Sequence, residues 1–302
     1  MSISPDRASS PGAPALTRAV VPAAGLGTRL LPLTRAQPKE MLPVGMKPVL
    51  QWVIEELAGA GLRQVLVVTA PGKDSLQHHF APEDTPAAPS PHLYYTLQAA
   101  PRGLGDAVLC GADFVGVEDF VVALGDCAII GGEGPTLLQR LVATHREQEA
   151  AATFAVQRVS PEHTRRYGMA AVAPGEGGAF QVSALLEKPG PERAPSPWAV
   201  CARYVFCPRI FPLLRELPAG VGGEIQLTDA IAALISEGLP VRAVPLTEKE
   251  IRLDVGNQAA YARAFVRGML ADNAASDEFA AYLASVLDFR AGRRAQDPDR
   301  LD

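Results

Sequence analysis

The sequence predicts an α/β fold built on a mostly parallel or mixed central sheet with helices on both faces. Short apolar runs alternate with amphipathic stretches of helical period, which is the pattern of repeated βα units. Gln64–Thr69 is an apolar run rich in β-branched residues, as expected for a strand that is buried on both faces. A glycine-rich turn ends the first apolar run, Ala19–Ala23, and completes the first βα signal.

The first half of the chain carries the most regular elements. Pro48–Ala60 has helical spacing that places Leu50, Val53, Ile54 and Leu57 on one face, and Gly61 then ends the helix. The other predicted elements here are strands at Ala19–Ala23, Gln64–Thr69, Leu93–Leu97 and Phe120–Leu124, a helix that starts within Gly105–Ala112, and a helix over 136–149. The proline-rich stretch 81–91 is predicted to be a loop.

The second half is less regular and no linker divides it from the first. Strands are predicted at Ala152–Val159, Val182–Leu186 and Val200–Phe206, and helices at Glu224–Ser236 and Phe279–Leu287. We therefore expect a single domain over 18–289 with a C-terminal helical elaboration. Residues 1–17 are predicted to be a disordered lead, because they are rich in Ser, Pro and Ala without periodicity, and 290–302 a flexible tail.

Composition excludes several classes of function. Hydrophobic residues make up 48% of the chain and the formal net charge is -5, so the protein can bury a core but is a poor match for a nucleic-acid backbone. No signal peptide and no membrane-spanning run is visible. We expect a cytoplasmic protein that binds neither nucleic acid nor membrane. Its four cysteines, Cys110, Cys127, Cys201 and Cys207, are expected to be buried free thiols.

The turn after the first strand is a candidate phosphate-binding loop. Small residues at 23–25 and 27 let backbone N–H groups approach a triphosphate. The dinucleotide fingerprint would need glycine where Leu30 stands, which argues against a nicotinamide-dependent dehydrogenase, and the Walker loop has no match. Arg29 and Lys39 can neutralise charge on a leaving pyrophosphate. A structural turn with two solvated cations is the plainer alternative.

Long motifs carry a family resemblance. AAGLGTR at Ala23–Arg29, PKEMLP at Pro38–Pro43 and EIQLTDA at Glu224–Ala230 resemble the bacterial UTP–glucose-1-phosphate uridylyltransferases, within the sugar-phosphate nucleotidyltransferases. The similarity extends in islands from Ala19 to about Gly268, although Ala202 stands where the family usually has glycine. It implies a Rossmann-like fold of the nucleotide-diphospho-sugar transferase type, the substrates UTP and glucose 1-phosphate, the products UDP-glucose and pyrophosphate, Mg²⁺ as cofactor, and a homodimer or homotetramer.

The resemblance also assigns site residues. The nucleotide would be bound by Ala23, Ala24, Gly25, Gly27, Thr28, Glu40, Gln98, Gly103 and Asp126. The sugar phosphate would be bound by Gly168, Glu187, Lys188, Arg203 and Glu224, and Mg²⁺ by Asp126 and Asp254. Arg29, Lys39 and Lys188 would be catalytic. A Gln98 amide can pair with both a ring N–H and a carbonyl of uracil, and thymine presents the same edge.

Several of these residues have structural alternatives. An aspartate after a strand is often a turn residue, and Glu187-Lys188 can be a charged turn before a proline. Thr228 or Asp229 can cap the start of the helix predicted at Glu224–Ser236. Two other functions stay open: a dTTP-dependent glucose-1-phosphate thymidylyltransferase, and a catalytically weak paralogue that binds nucleotide-sugar and regulates a partner. The five charged residues Arg29, Lys39, Asp126, Lys188 and Asp254 are all intact, which argues against the paralogue.

Overall fold

A computed structural model describes residues 16–81, 91–271 and 276–293. The strands are β1 (Arg18–Pro22), β2 (Pro43–Val44), β3 (Lys47–Pro48), β4 (Gln64–Thr69), β5 (His92–Leu97), β6 (Phe120–Ala123), β7 (Cys127–Gly131), β8 (Ala152–Arg158), β9 (Gly168–Pro174), β10 (Phe180–Glu187), β11 (Trp198–Phe206), β12 (Val241–Pro245) and β13 (Glu250–Asp254). The helices are α1 (Val49–Gly59), α2 (Ser75–His79), α3 (Leu104–Leu109), α4 (Ala112–Val115), α5 (Leu137–Glu147), α6 (Ile210–Glu216), α7 (Leu227–Ser236), α8 (Gln258–Ala271) and α9 (Ser276–Arg290).

One mixed sheet dominates the described part of the chain. Its strand order is β5-β4-β1-β6-β11-β8-β12-β10-β9. Strands β5, β4, β1 and β6 run parallel, as the βα pattern predicts, and β12 is parallel to β8. Strand β11 is antiparallel to both of its main neighbours, and β10 is antiparallel to β12 and β9. The half with regular βα alternation is therefore the parallel half, and the irregular half is largely antiparallel.

Helices cover both faces of this sheet. On one face α1 and α5 bury their apolar stripes in a core shared with β1, β4 and β6, and α5 contacts β8, β11 and β12. The predicted inward residues of α1 are buried: Leu50, Val53, Ile54 and Leu57. On the other face α3, α6 and α7 enclose a core centred on Phe120, Phe154 and Phe206. The helical spacing in the sequence thus identified the buried face of α1 correctly.

A small antiparallel ribbon of β7 and β13 positions two of the predicted site residues: Asp254 ends β13 and Asp126 directly precedes β7. In its register Asp254 is opposite Cys127, and the N–H of Val255 donates to the carbonyl of Asp126 at 3.2 Å. Helix α8 packs on β13 and on β2. The ribbon therefore brings Asp126 and Asp254, which are far apart in sequence, to the same end.

The helix predicted to start at Glu224 starts later. Residues Glu224 and Gln226 have extended backbone, and α7 begins at Leu227 with no side-chain cap. The prediction that Thr228 caps this helix is wrong, because the hydroxyl of Thr228 donates to Glu187 instead. Thr228 therefore joins α7 to β10 through its bond to Glu187 and does not cap α7.

Some predictions fall partly outside the described residues. Residues 1–15 of the predicted lead, 82–90 of the predicted loop and 294–302 of the predicted tail lie outside them. The carbonyl of Thr17 accepts from the N–H groups of Arg63 and Gln64, which joins the described start of the chain to β4. In the part of the chain that the structure describes, no helix is both long and apolar enough to cross a membrane. All four cysteines are free, and Cys127 and Cys201 are buried as predicted, but Cys110 and Cys207 are only half-buried, which corrects the prediction for these two.

Candidate active site

A cavity of about 460 Å³ opens at the carboxyl ends of the parallel strands β1 and β6. Ligands of open α/β sheets bind at this edge. The cavity brings together many of the predicted residues: Ala24, Gly25, Gly27, Thr28, Arg29, Lys39, Glu40, Gln98, Gly103, Asp126 and Glu224. Gly168, Glu187, Lys188, Arg203 and Asp254 are not in its lining.

The candidate phosphate-binding loop is held in place by Lys73, a residue that no pattern in the sequence singled out. The ammonium of Lys73 donates to the carbonyls of Ala23 at 2.6 Å and Gly25 at 2.8 Å, and to Glu40 at 2.9 Å. These three bonds use all three ammonium hydrogens. Because two loop carbonyls are tied back to Lys73, they are not available to face the cavity, where they would repel a phosphate.

Two predicted nucleotide contacts are changed by this arrangement. Ala23 is 1% exposed and does not line the cavity, because its carbonyl points to Lys73. Glu40 is also 1% exposed, and one of its carboxylate oxygens is taken by Lys73. Burial raises the pKa of Glu40, against the opposing effect of Lys73. Both residues therefore support the loop from inside. Ala23 is not in the lining of the cavity, whereas Glu40 is and stays a predicted nucleotide contact.

Lys39 and Asp126 form the charged centre of the cavity. The Lys39 ammonium lies 2.5 Å from Asp126 Oδ2. Burial alone would raise the pKa of Asp126, but the adjacent Lys39 outweighs it and holds that pKa below the ordinary value. The same pairing raises the pKa of Lys39 despite its burial. Both groups are charged at neutral pH, so the cavity offers an anion and a cation at one point.

Gln98 has a defined amide orientation. Its Nε2 donates to the carbonyl of Gly103 at 3.1 Å and to Asp106 Oδ2 at 2.7 Å. Arg102 donates to the other oxygen of Asp106 at 2.6 Å. Gly103 has φ +101°, and an added Cβ would lie 2.7 Å from Glu224 Cβ, so this position requires glycine for packing as well as conformation.

Asp254 lies beside the cavity, at the end of the ribbon. Its carboxylate accepts from Arg252 and from the N–H of Gly256, both at 2.6 Å. Gly256 does line the cavity, and a Cβ added to it would lie 3.8 Å from an Arg29 guanidinium nitrogen. Among the described residues, no group of three or more His, Cys, Asp or Glu side chains could hold a metal. The metal site predicted here would thus have two carboxylate ligands, Asp126 and Asp254.

A second cavity, of about 250 Å³, lies on the other side of Asp254. Four arginines are in its lining: Arg166, Arg252, Arg263 and Arg267. Arg252 also lies 4.9 Å from the centre of the Tyr167 ring. Asp254 therefore lies between this basic cavity and Gly256, which lines the larger cavity.

The predicted sugar-phosphate residues lie on several elements: Gly168 begins β9, Glu187 ends β10 and Lys188 follows it, Arg203 is on β11, and Glu224 precedes α7. Glu187 accepts from Thr228 Oγ1 at 2.9 Å, and the Lys188 ammonium lies 2.9 Å from its other oxygen. Lys188 itself is 44% exposed. A Cβ at Gly168 would lie 2.6 Å from the Thr228 methyl. The space left by Gly168 is therefore occupied by Thr228 in this conformation, which differs from the expectation for a sugar ring.

Arg203 is the predicted sugar-phosphate residue whose assignment the structure contradicts most clearly. Its side chain is 0% exposed and makes a bidentate ion pair with Glu56 of α1, at 2.6 to 3.1 Å. Its remaining donors reach the carbonyls of Ala202 and Cys127. With its donors used inside the protein, Arg203 joins β11, α1 and the ribbon and does not contact a sugar phosphate in this conformation.

No pattern in the sequence singled out Lys73 and Asp106, and the contacts of Arg252 with Asp254 and of Thr228 with Glu187 were not predicted. Lys73 had a usable signal, because it follows the parallel strand β4 at the ligand-binding edge. Asp106 stands in the first turn of α3, directly after the predicted base-binding segment. Arg252 is two residues from Asp254 on a strand that the periodicity did not predict.

The family model for nucleotidyl transferases matches residues 18–268. The chain belongs to this nucleotidyl transferase family. It is 38% identical over 288 residues to the UTP–glucose-1-phosphate uridylyltransferase of Bacillus subtilis (strain 168), a match that covers 89% of this chain and 97% of that protein.

Solved structures of similar proteins share the fold. A UTP-bound UGPase from Acinetobacter baumannii superposes with a TM-score of 0.82 at 31% identity, covering 90% of this chain and 99% of the other. A UDP-glucose pyrophosphorylase complexed with UDP-glucose superposes with a TM-score of 0.77 at 32% identity, covering 83% and 97%. The family resemblance in the sequence and the predicted fold class are both confirmed.

Proposed function

We propose that this nucleotidyltransferase joins UTP and glucose 1-phosphate to give UDP-glucose and pyrophosphate. The relatives at 38% identity and the nucleotide-bound neighbours bear names for this activity. The structural observation that carries the proposal is the convergence of Arg29, Lys39, Asp126 and Gln98 on one cavity. Together these side chains supply cations for a triphosphate, a carboxylate and a base-pairing amide.

The reaction needs positioning and charge, and no protein base. A sugar phosphate already carries about -1.5 to -2 charges near neutral pH. One of its oxygens attacks the α-phosphorus of UTP, and the bond from that phosphorus to the bridging oxygen breaks. Pyrophosphate leaves with the electron pair. We assign Arg29 and Lys39 to the triphosphate, where they stabilise the charge that develops on pyrophosphate.

Mg²⁺ is the proposed cofactor, and the carboxylates suit it. Magnesium is bound by one or two protein carboxylates together with substrate phosphates and water. Asp126 and Asp254 are brought together by the β7–β13 ribbon, and Lys39 keeps the pKa of Asp126 low, so this ligand is ionised. A bound Mg²⁺ would supply positive charge to the triphosphate oxygens.

The sugar phosphate is assigned to the segment beside the cavity. Lys188 is exposed and can turn from Glu187 to an incoming phosphate, and Glu187 can then accept from sugar hydroxyls. Gly168 and Glu224 stay predictions as sugar contacts. The homodimer or homotetramer and the cytoplasmic location implied by the resemblance also stay predictions.

The test is pyrophosphate release from purified protein with glucose 1-phosphate and Mg²⁺, with UTP, dTTP, ATP, CTP and GTP offered in parallel. We expect rapid release with UTP. A preference for dTTP would instead identify a thymidylyltransferase. No pyrophosphate release with any nucleotide would contradict the proposal and favour the regulatory paralogue. Omitting the sugar phosphate is the control, since release must depend on the acceptor.

A further inference from the structure

The orientation of the Gln98 amide decides which base edge it can pair with. A primary amide has two N–H donors on one side and a carbonyl acceptor on the other. In Gln98 both donors are already used inside the protein, by the carbonyl of Gly103 and by Asp106 Oδ2. Gln98 therefore retains only the acceptor, Oε1, for a ligand in the cavity. This corrects the prediction that its amide pairs with both a ring N–H and a carbonyl of uracil.

Asp106 is the group that fixes this orientation. Its carboxylate is 4% exposed and, when ionised, it can only accept hydrogen bonds. Arg102 holds the second oxygen at 2.6 Å, which leaves Oδ2 directed at Gln98. If the amide turned over, its Oε1 would face a carboxylate oxygen and a backbone carbonyl, and two buried acceptors would lose their donor.

We propose that Asp106 is a specificity-determining positioning residue that makes the cavity select pyrimidines with an N3–H. Uracil and thymine carry a donor at N3, which matches the fixed Oε1 of Gln98. Cytosine carries an acceptor at N3 and is repelled by the same oxygen. The inference rests on the proposed function, because it takes Gln98 to be the residue that meets the base.

The decisive variant is Asp106→Asn. Asparagine has nearly the same shape, but its own amide can turn and either accept from or donate to Gln98. Arg102 would hold the oxygen of this new amide, so that its NH₂ group faces Gln98 and favours the turned Gln98 amide, which presents NH₂ to cytosine N3. The Gly103 carbonyl still favours the original orientation, so the selectivity is expected to shift and not to reverse completely. We expect the affinity ratio for CTP over UTP, measured by calorimetry without glucose 1-phosphate, to rise about 10-fold or more. The ratio of kcat/KM values should rise with it.

Asp113→Asn is the matched control, since Asp113 is exposed on α4 nearby, and its CTP/UTP ratio should not change. Asp106→Ser, which can also donate or accept, replaces the first variant if melting shows that Asp106→Asn is unfolded. An unchanged ratio accompanied by weaker binding of both nucleotides would overturn the proposal and leave Asp106 a purely structural residue.

Binding keeps this test separate from catalysis. A wild-type protein that binds UTP over CTP but releases no pyrophosphate would contradict the proposed function and leave the role of Asp106 measurable. A wild-type protein that binds both nucleotides equally would contradict the role of Asp106, whatever its activity.

Discussion

Two parts of the proposed site place their charges differently. One is the nucleotide cavity, and the other is the group of Gly168, Glu187 and Lys188, which we call the sugar-phosphate strip. In the cavity, Lys39 and Lys73 are largely buried and bonded to carboxylates and loop carbonyls. In the strip, Lys188 is 44% exposed and pairs with its sequence neighbour Glu187.

This difference separates a preorganised site from one that must rearrange. Groups fixed in advance lose little entropy when charge develops on the substrate, and removing one of them costs a large part of the catalytic effect. An exposed lysine can bind its phosphate only after it leaves its present partner. We therefore expect substitutions in the cavity to have the larger effects.

Lys39→Ala should have the largest effect. The variant loses a cation at the triphosphate and leaves Asp126 without its ion-pair partner, so we expect kcat/KM for UTP to fall about 1,000-fold. Steady-state pyrophosphate release measures this. Lys249→Ala is the matched control, because its ion pair with Glu133 is exposed and contributes little. A loss below about 10-fold would mean that Lys39 has no preorganised role.

The same pair predicts a pH dependence of stability. Lys39 lowers the pKa of Asp126 in the folded protein, so the stabilisation is present above the ordinary aspartate pKa of about 3.9. It is lost as pH falls through the lowered value. Urea unfolding of wild type and Lys39→Ala at pH 6 and at pH 3 should therefore show a difference that shrinks in acid.

Lys188→Ala should have the second largest effect, and a different signature. The variant lacks the ammonium group proposed to bind the attacking phosphate of glucose 1-phosphate, so we expect kcat to fall about 100-fold. The affinity for UTP should not change. Because Lys188 is exposed, the melting temperature should not change. Near-normal turnover in this variant would remove Lys188 from the mechanism. Weakened UTP binding would place it in the nucleotide cavity instead.

The sequence predicted the parallel half of the fold and the glycine-rich turn after β1 because their signals are local. The run Gln64–Thr69 and the apolar stripe of α1 are readable within one element. Arg203 could not be placed in this way, since an arginine in a strand reads as exposed until its partner Glu56, 147 residues away, is known. The β7–β13 ribbon likewise depends on pairing between distant segments.

Gly168→Ala tests whether the strip is tightly packed. The new Cβ would lie 2.6 Å from the Thr228 methyl, and Thr228 is held by its bond to Glu187, so we expect a loss of about 1 to 3 kcal/mol in unfolding free energy. Thr228→Ser keeps the hydroxyl and removes the methyl. The double variant should recover most of the loss. No recovery would show that the added methyl meets another neighbour.

Ala202→Gly should have the smallest effect, and it should be favourable. Ala202 is the position at which the sequence departs from the family's glycine, and it has φ +54° where β11 is irregular between Val200 and Tyr204. A left-handed conformation costs a non-glycine residue about 1 to 2 kcal/mol, while glycine loses about 0.5 to 1 kcal/mol of chain entropy. The unfolding free energy in urea should therefore rise by about 0.5 to 1 kcal/mol.

The matched control is Ala199→Gly in the same strand. Ala199 is buried like Ala202 but is not among the described residues with positive φ. Glycine there brings the entropy loss and the loss of a buried methyl without relief of backbone strain, so it should destabilise. Opposite signs for the two variants would locate strain at Ala202, next to Arg203 and the ribbon that positions Asp126 and Asp254. Equal destabilisation would mean that the surrounding packing, and not the backbone conformation, determines this corner of the site.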